Sequence, residues 1–304
     1  MTWLIARQYR TELIFTLPLM AGLLALFFFT GRSITGAFQE QGLSTCLGAA
    51  SPEPTCMRAA EDVLNQYGWL TTTMPFINFV PALIGVIAAA PLVLEFDQRT
   101  YRLAWTQGIG RTRWFVTKLA ASLVLAGVSA AVLALVITRM YHPINLAESR
   151  WNESFNFAAP VFISYSLFAT ALVISVGVLA KKALAAFVAS FIAFFVVRIA
   201  LENFARPHFL APKVLLSQGF DLANRKSWIL SQRPVDANGH TIDRLQCFRT
   251  DPLPCPLPAD LLTKTVFHPD SRFWLFQGIE SGIFLGATVL MLGVSTWWLS
   301  KRVA

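Results

Sequence analysis

The sequence predicts an all-α membrane protein built on six transmembrane helices. Three observations carry that reading. Hydrophobic residues make up 55% of the chain and charged residues only 14%, where a soluble domain carries roughly a quarter charged. The apolar residues are gathered into long runs, each near the roughly 20 residues that cross a hydrocarbon core of about 30 Å. Tryptophan and tyrosine recur at the ends of those runs, at Trp3, Trp69, Tyr141, Trp151, Trp274, Trp297 and Trp298, and amphipathic rings favour the boundary between lipid and water.

The first span is read at 12–30. Before it, Trp3 to Arg10 mixes apolar, aromatic and basic residues, which suits a short N-terminal helix lying at the interface. The run is too long for a signal-peptide core, and no small-residue cleavage site follows at once. A polar outer segment, 31–72, precedes a second span at 73–94. That span contains Pro75, Pro81 and Pro91, which membrane helices tolerate and soluble ones rarely do. The third span is 116–138 and the fourth 157–179. Only Lys181 and Lys182 interrupt the apolar sequence before the fifth, 183–201, so these two spans form a tight helical hairpin. A large outer segment, 202–273, leads to the last span, 274–299. The whole of 1–304 reads as one transmembrane domain, with no internal repeat.

Six spans put both termini on one side. With the termini in the cytoplasm, the inner face carries eleven Lys and Arg against three acids, and the outer segments are balanced. The entire net charge of +8 then lies inside, as the positive-inside rule requires. The basic total therefore points to topology, not to nucleic acid. All four cysteines, Cys46, Cys56, Cys247 and Cys255, fall outside, which fits an oxidising exterior. Local pairs 46–56 and 247–255 are the simplest of three connectivities; four free thiols are the alternative, and zinc is disfavoured by the lack of C-x-x-C spacing.

Catalytic signatures are missing. The chain has no G-x-x-x-x-G-K-[ST] loop, no G-x-S-x-G elbow and no H-E-x-x-H, so no nucleotide, metal or other cofactor is expected on it. Asp236-Ala-Asn-Gly239 reads as a turn. Two ionisable residues fall inside spans: Arg198, near the outer end of the fifth, and Glu280, near that of the sixth. Such groups are costly in a membrane and usually paired, so an Arg198–Glu280 pair is expected; the alternative is that each snorkels to water.

The most informative stretch is 95–118, on the inner face between spans two and three. It runs Glu95-Phe-Asp-Gln-Arg-Thr-Tyr-Arg-Leu-Ala-Trp-Thr-Gln-Gly-Ile-Gly-Arg-Thr-Arg-Trp-Phe-Val-Thr-Lys118. Positive-inside topology explains its basic residues but not its two tryptophans. Charges combined with large apolar side chains indicate docking, on lipid headgroups or on a soluble partner. Here the sequence resembles the ABC-2 type permeases, in particular the actinobacterial-type branch. Their pattern E-x-x-x-x-T-x-R-L-A-W-T-Q-x-x-x-R-x-R-W-x-x-x-K is matched by Glu95, Thr100, Arg102, Leu103, Ala104, Trp105, Thr106, Gln107, Arg111, Arg113, Trp114 and Lys118. Arg99 stands where many relatives have Gly, and Gly108-Ile-Gly110 also departs.

The resemblance implies a six-span ABC-2 (type V exporter-like) permease fold with a large extracellular segment between helices five and six. It further implies that this loop couples to a separate ABC ATPase subunit through Glu95, Arg102, Trp105, Gln107, Arg111, Arg113 and Trp114. ATP and Mg would then sit on that partner, and a second permease copy or a homologue would complete the transporter in the plasma membrane. The cargo expected is amphipathic or hydrophobic: an antibiotic, a peptide or a lipid. Two other readings are a ligand-binding membrane sensor or immunity protein, and an intramembrane lipid-processing enzyme. A neighbouring ATPase gene separates transport from the first. Paired polar groups deep in the spans would mark the second, and few are visible.

Overall fold

The computed structural model describes residues 2–48, 53–106, 110–151, 153–217, 226–236, 241 and 262–302. Six of its helical stretches are long and apolar enough to cross a membrane: Leu17–Glu40, Thr72–Asp97, Arg111–Ala147, Ala159–Ala180, Ala183–His208 and Asp270–Lys301. In lipid only a helix or a closed barrel satisfies every backbone group internally, so long apolar sequence and long helix coincide here. The helices are α1 (Thr2–Glu40), α5 (Val80–Asp97), α7 (Arg111–Ala147), α9 (Ala159–Ala180), α10 (Ala183–Ala200) and α11 (Phe273–Arg302), with α2 (Leu43–Leu47), α3 (Pro54–Gln66), α4 (Trp69–Ile77), α6 (Tyr101–Thr106) and α8 (Glu153–Phe157) between them. Successive spans alternate in direction. One end of the bundle, the elbow end, holds α6, the α9–α10 turn and both termini; the other, the cap end, holds α2, α3, α4 and α8.

α9 is the spine. Buried residues make up 83% of its most apolar stretch, against 17% for α1. It packs against α5, α7, α10 and α11. The contact with α5 is close because glycine permits it. A Cβ added to Gly85 would lie 2.6 Å from the Ala169 Cβ and 2.7–2.8 Å from the backbone of Ala169 and Thr170. One at Gly177, near the elbow end, would meet the Val93 side chain at 2.6 Å. Without water to drive association, small residues that let backbones approach are what hold membrane helices together. The hydroxyls of Ser166 and Thr170 return to the carbonyls four residues back, at 3.0 and 2.7 Å, so these polar atoms cost little inside the bundle. α9 ends at Lys181, whose left-handed φ of 53° lets its N–H reach the Gly177 carbonyl at 2.9 Å. Two lysines thus turn the chain into α10, as expected.

Two expectations are corrected and one is filled in. No separate interfacial helix precedes the first span: α1 is continuous for 39 residues, since nothing between Thr2 and Leu17 breaks a helix. The polar segment 31–72, expected only as an outer segment, is largely helical. α1 runs on to Glu40, and α2, α3 and α4 follow, their apolar faces (Leu43, Leu47, Ala60, Val63, Leu70, Met74) burying Ile34 and Phe38 of α1 and Ile137 and Ile144 of α7 in one cluster. The chain is also not all-α. Within 202–273 lies a three-stranded antiparallel sheet, β1 (Lys213–Ser217), β2 (Trp228–Val235) and β3 (Leu262–His268), in the order β1-β3-β2. β3 pairs Val266 with Val214 on one side and with Ser231 on the other, with a register shift between Ile229 and Ser231.

Cys46 and Cys56 form a disulfide that ties α2 to α3. Cys247 and Cys255 lie outside the described residues.

The glycine contacts predict unequal costs. Gly85→Ala drives a methyl group into backbone and should destabilise the protein by at least the roughly 1–3 kcal/mol typical of overpacking. Gly177→Ala meets only a side chain and should lose less. Thermal unfolding of both variants in one detergent gives the ranking; equal losses would mean that α9 slides on α5.

Candidate functional site

The segment 95–118 forms a braced elbow. α5 ends when Arg99 takes a left-handed φ of 59°, a conformation glycine adopts without cost and other residues do not. The chain then turns into α6, with the Arg102 N–H on the Arg99 carbonyl at 3.2 Å. Beneath it, the Lys118 ammonium of α7 donates to the Glu95 carboxylate of α5; both residues are buried, at 4% and 9% exposure. A buried pair of this kind is costly to break by halves, so it pins the end of one span to the start of the next. Aromatic rings complete the brace. Phe96 meets Tyr101 at 5.2 Å and Trp114 at 5.8 Å, and Trp105 meets Tyr101 at 4.6 Å and Trp114 at 6.1 Å.

The residues expected to couple therefore divide into two groups. Arg102, Arg111 and Arg113 are exposed on the elbow's outer surface. Trp105 is half-buried, with the Arg111 guanidinium 4.9 Å from its ring. Glu95 and Trp114 point inward, and Trp114 is only 3% exposed. Trp114 is thus not an outward anchor: its ring is consumed by the chain's own core, over Lys118 at 5.6 Å. Gln107 lies outside the described residues.

At the cap end a second constellation is buried. The Arg206 guanidinium forks onto Glu280 of α11, Nε to Oε2 at 2.7 Å and Nη2 to Oε1 at 2.8 Å. It also donates to Glu202 at 3.3 Å, Asn156 of α8 at 2.9 Å and the Tyr165 hydroxyl of α9 at 3.2 Å. The Tyr165 hydroxyl donates in turn to Glu280. Glu280 and Tyr165 are 0% exposed and Arg206 is 4%. Beside them Gln277 of α11 clamps the start of α9: its amide donates to the Phe155 carbonyl at 2.7 Å and accepts from Val161 N–H at 3.3 Å, one of the donors a helix's first turn leaves unsatisfied.

The expected Arg198–Glu280 pair is not formed. Arg198 donates to the Asn78 carbonyl at 3.0 Å and to its side-chain oxygen at 2.5 Å, and lies 4.9 Å from the Tyr165 ring. The reason is local. α10 does not stop at 201: a π-turn, Leu201–Ala205, and a 3-10 turn, Arg206–His208, carry the span onward. The wider turn swings Arg206 back into the bundle, where it takes the carboxylate. Single π-turns inside helices recur at functional positions. Tyr165, Asn156, Glu202 and Gln277 were missed in the sequence; their only signal is polarity within or beside an apolar run.

The cap rests on the same cluster. His268, at the end of β3, is fully buried against Phe276, 4.8 Å away. Its Nε2–H donates to the Pro207 carbonyl at 3.0 Å, and its Nδ1 accepts from Arg272 at 3.3 Å. Burial lowers its pKa, the Arg272 charge adding to the effect against the Pro207 hydrogen bond. Arg150 grips Asp270 bidentately, at 2.6 and 2.9 Å, joining the segment before α8 to the start of α11.

The sequence profile of the family described as ABC-2 membrane transporter related matches residues 17–206, more than half of the chain. The chain belongs to this family. It is a multi-pass membrane protein of the ABC-2 permease type, a family of transport components that normally work with an ABC ATPase subunit. Neither a curated protein nor a solved structure matches it. The match spans the elbow and ends at Arg206, leaving the sheet and α11 beyond it.

Two predictions follow for this permease. Arg206→Gln or Glu280→Gln alone strands a buried charge and should cost about 3–5 kcal/mol, while Arg206→Met with Glu280→Leu should recover much of that. A double-mutant cycle on the purified protein reads the coupling; single losses below about 1 kcal/mol would mean that water reaches the pair. For His268 the folded pKa lies below the unfolded value near 6.5. Its contribution is complete above that value and is lost as pH falls through it. The melting temperature of His268→Gln should therefore fall less steeply than the parent's between about pH 7 and 5.

Proposed function

We propose that this chain is the membrane-spanning permease subunit of an ATP-binding cassette exporter, and that the elbow at 95–118 receives the closure of a separate ATPase subunit. One observation carries the reading. Arg102, Arg111 and Arg113 project from an element whose underside is fixed by an ion pair and a cluster of rings. A helix bundle feels nucleotide hydrolysis on another subunit only through mechanical contact. That contact needs rigidity, so that displacement is not absorbed, and outward charges to orient the partner; arginine suits bidentate pairing with carboxylates. The chain lacks a phosphate-binding loop of its own, so ATP and Mg belong on the partner. A second copy or a homologue completes the pair of permeases. The eleven basic residues against three acids at the elbow end support a cytoplasmic elbow and cytoplasmic termini in the plasma membrane. An amphipathic or hydrophobic cargo, moved outward, is the substrate class proposed.

Burial sharpens the test. Trp105→Ala and Arg111→Glu should leave the permease inserted and folded yet weaken capture of its ATPase by about tenfold or more, the scale of an interface hot spot, with transport lost in proportion. Trp114→Ala should instead loosen the elbow and lower the melting temperature. Co-purification, substrate-stimulated ATPase activity and thermal unfolding separate these outcomes. Full ATPase association and full transport in both surface variants would reject the coupling role and leave the elbow lying on the membrane surface.

A further inference from the structure

A groove of about 990 Å³ runs between α1 and the cap-side half of α7, sharing Thr138 and His142 with the cavity beside Arg150 and Asp270. Its two walls are ordered alike. Along α1 the lining passes from Phe28 to Arg32 and Gln39; along α7 it passes from Leu135 to Arg139 and His142. Both helices run toward the cap, so each wall is apolar at depth and basic at the cap-side boundary. The helices touch at this level: a Cβ on Gly31 would lie 3.0 Å from the Met140 Cα, which puts the neighbouring Arg32 and Arg139 at the same height. All three basic residues are exposed, and no acid lines the groove. Neither guanidinium has an ion-pair partner among the described residues. Two other cap-end arginines do have acids of the chain itself, Glu280 for Arg206 and Asp270 for Arg150.

We infer that this groove is a binding site for an anionic phospholipid of the cap-side leaflet. The diester phosphate sits between Arg32 and Arg139, His142 and Gln39 face the polar headgroup, and an acyl chain follows Phe28 and Leu135 toward the membrane centre. The gradient from apolar to basic on both walls is that of a lipid standing in its own leaflet. A second copy of the chain fits less well. A symmetric contact repeats one patch on both partners and would set arginine against arginine with no acid between. Basic side chains at an anionic surface each add attraction, and guanidinium matches phosphate bidentately.

The full chain is reconstituted in nanodiscs of equimolar phosphatidylglycerol and phosphatidylcholine with identical acyl chains, released, and weighed by native mass spectrometry. Retained phosphatidylglycerol should exceed phosphatidylcholine by roughly tenfold. The double variant Arg32→Gln, Arg139→Gln should bring that ratio near unity, and Arg32→Lys with Arg139→Lys should keep most of it. Glycerol 3-phosphate at millimolar concentration should displace nothing. Equal retention of the two lipids by the parent, or an unchanged ratio in the glutamine variant, overturns the site. Displacement by glycerol 3-phosphate makes it a site for free phosphates and overturns the lipid assignment, as does a second copy of the chain held in place of lipid. If the glutamine variant does not fold, the parent decides the matter: phosphatidylglycerol must raise its melting temperature more than phosphatidylcholine does, and no difference rejects the inference.

Discussion

A charge buried at the end of an apolar bundle must be neutralised where it sits, and most of the cap end of this permease is arranged around one such charge. Arg206 is nearly removed from water, at 4% exposure. Its guanidinium is met by Glu280 from α11, Tyr165 from α9, Asn156 from α8 and Glu202 from its own turn. Each partner belongs to a different stretch of chain, so satisfying one ion fixes four elements at once. The pair is weak evidence for stability, since an apolar replacement of the same volume is often no worse. What it does is specify geometry: α10 must continue through its π-turn, and α11 must start at the height that brings Glu280 level with Tyr165. The cap follows from that placement, because His268 hydrogen-bonds the carbonyl of Pro207, the residue after the arginine.

Between this cluster and the elbow runs α9, and its packing decides what can move independently. Gly85 brings the backbones of α5 and α9 into contact, and Gly177 repeats the approach nearer the elbow. Ser175 of α9 meets Ser295 of α11 at 2.9 Å. Packed interfaces of this density have discrete arrangements instead of continuous ones. The Glu95–Lys118 pair ties α5 to α7, and α9 packs against both, so the elbow and the cap are joined through α9. α1 is different: only 17% of its most apolar stretch is buried, and it leans chiefly on α7 and on the small helices of the cap.

How far the sequence reveals this depends on which physical signal each part uses. The six spans are legible because lipid demands about 20 apolar residues in a row and tolerates little else. The turn at Lys181 and Lys182 is legible for the same reason, while the pairing of Cys46 with Cys56 is legible from their short spacing within one outer segment. The sheet is not. β1 is five residues long with Val214 and Leu216 exposed, and so short a stretch alternates too few times to declare a strand. Arg206 is hidden by position: a span counted from hydropathy ends at Leu201, and nothing in the composition announces a π-turn that adds another. The inward face of Trp114 is hidden by ambiguity. A tryptophan beside arginine reads equally as an anchor for a partner or as a ring in the chain's own core, and only the positions of Phe96 and Lys118 decide between them. Arg99 is ambiguous too. An arginine where the resemblance sets glycine leaves the turn geometry open in the sequence, and the structure shows that Arg99 itself takes the left-handed φ.

The basic residues of this chain sort by what surrounds them. Inside the bundle a cation lasts only if the fold brings acceptors to it: Lys118 has Glu95, Arg206 has Glu280, and Arg198 has the backbone and side-chain oxygens of Asn78. At the edge of the cap, half in water, Arg150 still takes Asp270, since a bidentate pair also fixes where α11 begins. Arg32, Arg139, Arg102 and Arg113 are exposed and have no ion pair with a described residue, and they lie where the chain gives way to something else: lipid along α1 and α7, and solvent or a partner at the elbow. A cation without a carboxylate at such a boundary costs nothing while it is hydrated, and it gains when an anion arrives from outside. The same accounting that demands Glu280 for Arg206 makes no such demand of the two outward groups of arginines, which water can satisfy. Burial, more than net charge, separates the arginines that build the permease from those that meet its surroundings.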